Sequence, residues 1–407
     1  MKKIIAFILL NIFTSTCYAG LLDSQDQVLN GNLGLAGNAA ATAYNKRAYF
    51  AGGVTVFDNF TQNKDVLDNE NIVVGYNGND LVPKMPWPNA FFQFAQEIPG
   101  AGWLNISYDK NYQTGSSYRL KRQGPLDSQK IDVFTSSGRE TMRATYSLDY
   151  NHQVPGLHLG GEFGINKDTN IFNLSQNNAS HAARGGLTGQ NLEEVSNYYF
   201  SYGLGGIYEA DRKNLFTLSH LIYNHKLVEE KGKDINNNIV DIEYNEVMPA
   251  ETIMGYMYKL TNNLELGGTL KIVWPVTYTQ IGNRWTTATS GPESDIDVYK
   301  RGYKVYTLAG EYDLPDELAF QPWLKGIAFQ GYYGWSDPYA EQINTNQPEI
   351  DVAGHETTEM GINAIQLIRE YKIIFGINRI RQLTATTGEE IDNTKFYINY
   401  STDFEFI

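Results

Sequence analysis

Six histidines, at positions 152, 158, 181, 220, 225 and 355, are the first residues to test for metal or proton chemistry. They are scattered. His220 and His225 lie five apart, so on a strand they would point to opposite faces and could not share an ion. Ser180 and His181 place a nucleophile beside a base. Immediate neighbours of this kind rarely form the nucleophile–base hydrogen bond, and these two lie among asparagines. No Gly-x-Ser-x-Gly, phosphate-loop or EF-hand pattern is present. Cys17 is the only cysteine and falls in an N-terminal segment expected to be removed. Thiolate metal sites, cysteine catalysis and a disulfide scaffold are therefore excluded. The chain reads as a non-enzyme with no catalytic residue, no metal site and no cofactor.

The elements that would position any site are strands. Lys2 and Lys3 precede the apolar run Ile4–Phe13, and small residues at Cys17 and Ala19 point to cleavage after Ala19. Residues 1–19 thus read as a secretory signal peptide, too short for an anchor helix. Removing Lys2 and Lys3 leaves 30 basic residues against 46 acidic, a formal −16, which disfavours nucleic acid as a partner. No later run is long and apolar enough for a spanning helix.

From about residue 51, apolar and polar residues alternate in segments of about 10–14 residues, a length that suits tilted strands crossing a bilayer. Fourteen are expected, at 51–60, 87–96, 103–116, 140–151, 157–167, 197–208, 214–227, 248–259, 264–278, 303–312, 322–333, 356–367, 371–384 and 394–407. Connections after even strands are short, such as "QVPG" and "TNN", while those after odd strands are mostly long and polar. That sorting is expected of an outer-membrane barrel with periplasmic turns and long outer loops. A soluble sandwich has no reason for it. The fold class is therefore all-β, a transmembrane antiparallel barrel over residues 51–407. In the hairpin from Thr145 to Asn166, Tyr146, Leu148, Tyr150, Leu159 and Phe163 should face lipid. Asp149, His158 and Glu162 should face the lumen, with Gly160 and Gly164 leaving room for a plug or a ligand. Residues 20–50 are rich in small residues and lack alternation. They read as a lumenal plug or a periplasmic tail.

The segment "GLAGNAAATAYN", then "PNAFFQF", "GWLNISYDKNYQTG" and "MPAETIMGYMYKLTNNLEL", resembles the FadL-type family of outer-membrane transporters for long-chain fatty acids and other hydrophobic compounds, including aromatic hydrocarbons. The layout matches over nearly the whole mature chain. The resemblance implies a fourteen-stranded monomeric barrel and an N-terminal hatch. It implies a hydrophobic cargo caught by outer loops, and a lateral exit into the membrane at a kink in the third strand. Two departures bear on that exit. The hatch ends Asn45-Lys46-Arg47-Ala48, without the family's proline, and the kink region reads Asn111-Tyr112-Gln113 with Gly115 two residues on. Gln113 and Gly115 are the kink candidates. Asn45, Lys46 and Arg47 are the hatch candidates, and Lys46 and Arg47 could pair with the barrel wall.

A fatty-acid pocket needs an apolar cavity and a cation for the carboxylate, and the arginine fork suits that best. Arg143 and Lys271 fall on expected lumenal faces. Arg379 and Arg381 share one face and are also candidates. The competing role for all four is pairing with lumenal acids such as Glu162 and Glu265. Ile171, Phe172 and Leu174, in the third outer loop, would form a landing patch for an apolar ligand or pack that loop on itself. The function expected is passive uptake of a fatty acid or hydrocarbon across an outer membrane. A porin-like channel for polar solutes and a barrel-anchored surface binding protein are the alternatives.

Overall fold

The computed structural model describes residues 38–46, 48–63, 72–73, 90–113, 117–122, 129–176, 189–233, 239–280, 296–315, 317–318, 321, 325–338, 343–344, 355–368, 371–384 and 390–403. The first elements are α1 (Ala41–Asn45), β1 (Tyr49–Asn63), β2 (Ile72–Val73), β3 (Ala90–Ile98), β4 (Gly102–Gln113), β5 (Ser117–Arg122), β6 (Gln129–Asp149) and β7 (Leu157–Gln176). Then come β8 (Gly189–Ser196), β9 (Tyr199–Asp211), β10 (Asn214–Tyr223), β11 (Lys226–Lys233), β12 (Ile239–Glu246), β13 (Glu251–Lys259), β14 (Leu264–Val273) and β15 (Val276–Gln280). The chain continues through β16 (Ile296–Lys300), β17 (Tyr303–Asp313), β18 (Ile327–Ser336), β19 (Ile343–Asn344), β20 (His355–Ile368), β21 (Tyr371–Thr384) and β22 (Glu390–Asp403).

Fourteen of these strands form the wall. In order they are β1, β3, β4, β6, β7, β9, β10, β13, β14, β17, β18, β20, β21 and β22, each antiparallel to the next. β22 pairs back onto β1 from Tyr49↔Asp403 to Asn63↔Glu390, so the pairing returns on itself and leaves no edge. Each expected strand overlaps one wall strand.

Alternation assigns the two faces. In β18, Ala328, Gln330, Tyr332, Gly334 and Ser336 are buried, while Phe329, Tyr333 and Trp335 are exposed. Leu159 and Phe163 on β7, and Phe200, Tyr202, Leu204 and Tyr208 on β9, continue the exposed apolar band around the wall. Only lipid makes such a surface stable. The hairpin from Thr145 to Asn166 behaves as its alternation implies: Tyr146 and Leu159 point outward, while His158 is buried in the lumen. Its turn ends at Gly156, whose φ of 80° favours glycine.

Above the wall, on the side away from the short turns, several strands run on into a second tier. β8 leads into β9 through Asn197 and Tyr198, β10 into β11 through Asn224 and His225, and β12 into β13 through 247–250. β14 leads into β15 through Trp274 and Pro275, and β16 into β17 through Arg301 and Gly302. Pro275 has no N–H to give the ladder, so a break there is expected. In the tier, β7 pairs with β8, β8 with β11 and β11 with β12. β15, β16 and β19 form a separate small sheet. Much of what the sequence marks as outer loop is thus hydrogen-bonded strand. The placement of Ile171, Phe172 and Leu174 in a loop is corrected accordingly. They lie within β7, opposite Glu193, Leu192 and Gln190. The polar, asparagine-rich composition there suits a hairpin standing in water as well as a loop.

Candidate functional site

The lumen holds the hatch. Residues 38–46 form one turn followed by α1, a helix too short to stand alone. Its surroundings hold it. Asn38 Oδ1 accepts from the Ala40 amide (2.9 Å) and so shapes the entry turn. The Asn38 amide Nδ2 donates to Gly206 O (3.2 Å) on β9 and to Leu218 O (3.1 Å) on β10. The Ala43 amide donates to Ser147 Oγ (3.0 Å), and Asn105 Nδ2 to Thr42 Oγ1 (3.4 Å). Lys46 closes the helix in the left-handed region (φ 49°), its amide bonded to Thr42 O. Its ammonium pairs with Asp149 at 2.5 Å. Among the hatch candidates, Lys46 therefore meets the wall as expected. Asn45 is exposed at the end of α1, and Arg47 lies outside the described residues.

Two glycines make this seat possible. Gly160 on β7 faces Gly205 on β9 across the ladder. A Cβ on Gly160 would stand 2.2 Å from Ala39 O, and one on Gly205 would stand 2.2 Å from Asn38 Oδ1 and 2.7 Å from the Ala39 amide. Backbone presses on backbone at both points. Gly160 thus makes room for the plug, as the hairpin reading suggested. The room at Gly164 goes instead to Ser201 Oγ, 2.2 Å from where a Cβ would stand. Gly205 and Asn38 were missed, because a glycine in a strand does not announce what approaches it.

Beneath the seat lies a small apolar cluster. Ala40 is completely buried in a cluster with Ile207, Leu215, Met257 and Tyr332, against which Ala41, Tyr44 and Ala309 pack. Burial, with Glu209 and Glu265 nearby, pushes the Tyr44 phenol up to about 12, so it is neutral at physiological pH. Beside the hatch is a small cavity of about 30 Å³, lined by Ala39, Arg143, Glu162, Glu251, Leu221 and Ile253 among others. That is room for about one water. Lys271 reaches Glu251 at 2.8 Å. Arg143 and Lys271 are therefore lumenal, as expected, and sit among acids. Glu265, the other expected acid, pairs with Lys259 at 3.2 Å.

Arg379 and Arg381 are not lumenal. They are exposed on the outward face of β21, in line with Phe375 and Ile377, while Ile374, Gly376, Asn378 and Ile380 face inward. Apolar residues on both faces of "KIIFGINRIR" hid the phase of this strand from the sequence. Gln113, the last residue of β4, pairs with Ser137 with no register shift. Gly115 lies outside the described residues.

At the joint between wall and tier lies a buried network of charges that the sequence did not reveal. Arg139 Nε meets Asp168 Oδ1 (2.8 Å), and Lys226 Nζ bridges Asp168 Oδ2 (2.7 Å) and Glu246 Oε2 (2.6 Å). Lys300 Nζ then meets Glu246 Oε1 at 2.5 Å. The buried Tyr199 donates its hydroxyl to Asp168 (3.0 Å), and Arg139 lies over the Tyr199 and Tyr223 rings. Burial alone would raise the Glu246 carboxyl, but Lys226 and Lys300 beside it hold it down at about 2. Partners 54 and 58 residues apart in the chain leave no local pattern to read.

No family sequence model matches this chain, and no curated protein matches it by sequence. Solved structures do. The toluene transporter TbuX of Ralstonia pickettii superposes with a TM-score of 0.56 at 12% identity, over 97% of this chain and 100% of that one. The toluene transporter TodX of Pseudomonas putida gives 0.55 at 12% identity, over 96% of each chain. A FadL homologue of Pseudomonas aeruginosa gives 0.53 at 10% identity, over 91% of this chain and 94% of that one. The chain has the FadL-type fold. Identity this low speaks to architecture alone, so the chemistry of the lumen must be argued from this chain's own residues.

Proposed function

We propose that this protein is an outer-membrane transporter that carries small hydrophobic molecules passively through a barrel closed by a movable hatch. One observation carries the reading: backbone of residues 38–40 is seated on Gly160 and Gly205, with the apolar cluster beneath it. A pore for polar solutes gains nothing from such a stopper. For an apolar cargo, burial supplies the driving force, about 0.8 kcal/mol for each CH₂ removed from water. The toluene transporters of like fold support the same class of cargo.

The lumenal charges favour a neutral hydrocarbon over a fatty acid. Lys271 already holds Glu251, and Arg143 shares its small cavity with Glu162 and Glu251. An incoming carboxylate would have to displace acids supplied by the protein, whereas an uncharged molecule would not. The test is transfer into proteoliposomes of a labelled monoaromatic hydrocarbon, a labelled long-chain fatty acid and a labelled sugar. The hydrocarbon should enter fastest and the sugar at the rate of empty liposomes. Sugar entry at a comparable rate would replace this reading with a diffusion channel.

A further inference from the structure

The outer surface of β6, β7 and β9 carries a concave notch of about 600 Å³ in the middle of the lipid-facing band. Gly161 and Ala144 form its floor, and Tyr146, Phe163, Tyr202 and Leu204 stand around it. An added Cβ at Gly161 would meet nothing closer than 3.8 Å, so the floor is open rather than filled by the protein. Following the outward face of β7 upward from Gly161 leads past Phe163 and Ile165 to Lys167. Lys167 is opposite Glu140 on β6, and Glu140 is opposite Lys110 on β4. The row Lys110–Glu140–Lys167 therefore carries two cations and one anion on a protein whose formal net charge is −14. Lys110 Nζ holds Glu140 at 3.1 Å, while Lys167 Nζ lies 5.5 Å over the ring of Tyr198. Tyr198 is 67% exposed just above the apolar band, where an amphipathic ring marks headgroup depth.

Six residues separate Lys167 from Gly161, about 20 Å along a strand. With the usual barrel tilt this is roughly 15 Å of depth. A cation at headgroup depth above a hydrocarbon-sized hollow is the complement of one kind of molecule: an amphiphile with a phosphate at one end and an acyl chain at the other.

We propose that this face binds one acyl lipid of the outer leaflet that carries a phosphate monoester, its phosphate on Lys167 and an acyl chain in the Gly161–Ala144 notch. The site opens on the outer face of the wall, while Glu162 and Gly203 of its lining also border the small cavity beside the hatch. It would fix lipid against the wall that carries the hatch seat on its other side.

The test is native mass spectrometry of the full-length protein, titrated in detergent with diphosphoryl lipid A, with phosphatidylcholine and with inorganic phosphate as competitor. Unaltered protein should retain one lipid A through delipidation, in preference to phosphatidylcholine, and millimolar phosphate should not displace it. Gly161→Phe fills the notch and Lys167→Gln removes the cation. Each should lower retention about tenfold, the loss expected for roughly two buried methylenes or one charged contact. Lys167→Arg should restore retention. Heat-modifiable gel migration confirms that each variant is folded, and both side chains face outward, where the barrel tolerates change. Equal retention by all variants would overturn the proposal. So would a preference for phosphatidylcholine, or displacement by phosphate with no effect of Gly161→Phe.

Discussion

Two buried regions, the hatch seat and the belt of charges above it, are built from opposite materials. The hatch seat uses alanines, glycines and neutral hydrogen bonds, some of them to strand carbonyls, with one exposed ion pair at Lys46. The belt above it is a chain of charged groups, from Arg139 through Asp168, Lys226 and Glu246 to Lys300. Close contact between small groups is strong only while the surfaces fit, and it vanishes over a fraction of an ångström. A buried ion network tolerates small shifts but not the loss of a member, because one unpaired buried charge is expensive. A part that must move is better built the first way. A part that must hold a tier of strands in place is better built the second way.

That contrast can be broken most forcefully at the seat. Replacing both Gly160 and Gly205 by Val puts Cβ atoms into the backbone of residues 38–40 and should expel the hatch without touching the belt. Single-channel recording should show a closed protein become an open pore. An unchanged, closed trace would mean that the lumen is stopped elsewhere.

At the belt, Lys226→Met leaves Asp168 and Glu246 buried without their shared cation, a loss of roughly 3–5 kcal/mol. Hydrogen exchange should quicken in β8, β11 and β12 and stay slow in residues 38–46. Asn38→Ala removes two bonds to strand carbonyls and the turn bond to Ala40, about 1–3 kcal/mol of hatch stability. It should reverse that pattern, quickening exchange at 38–46 alone.

Acid sharpens the comparison. The Glu246 carboxyl is held near 2, below its ordinary 4.5. A carboxylate depressed on folding contributes stability that is complete above the ordinary value and is lost as pH falls from about 4.5 toward 2. Exchange in β11 and β12 should rise across that window before exchange at the hatch does. The smallest effect is expected for Lys46→Ala. Its ion pair with Asp149 is half exposed and worth at most about 1 kcal/mol, so thermal melting should barely move.

The barrel was legible because alternation and loop sorting are one-dimensional signals. The hairpin around Gly156 and the lumenal places of Arg143 and Lys271 followed from the same phase, whereas the wall contact of Lys46 followed from the resemblance of the hatch segment. What could not be read depends on distance through space. Gly205 matters only because Ala39 and Asn38 lie against it. The belt joins residues from five separate stretches of chain. Arg379 and Arg381 were set among the candidates for the lumenal pocket because both faces of β21 are apolar there and the phase could not be read. The tier, with Ile171, Phe172 and Leu174 inside β7, was hidden because a hairpin standing in water needs no apolar face to mark it.

The central claim is that cargo passes only when the hatch leaves its seat. The Ala43 amide donates to Ser147 Oγ at 3.0 Å, so the two residues are direct neighbours, as a disulfide between them requires. Cys17 is the only native cysteine, so Ala43→Cys with Ser147→Cys adds a single pair to the chain beyond residue 19. Hydrocarbon uptake by this variant in proteoliposomes should fall to the rate of empty liposomes when oxidised and return on reduction. Uptake at the unaltered rate with the disulfide formed would contradict the account.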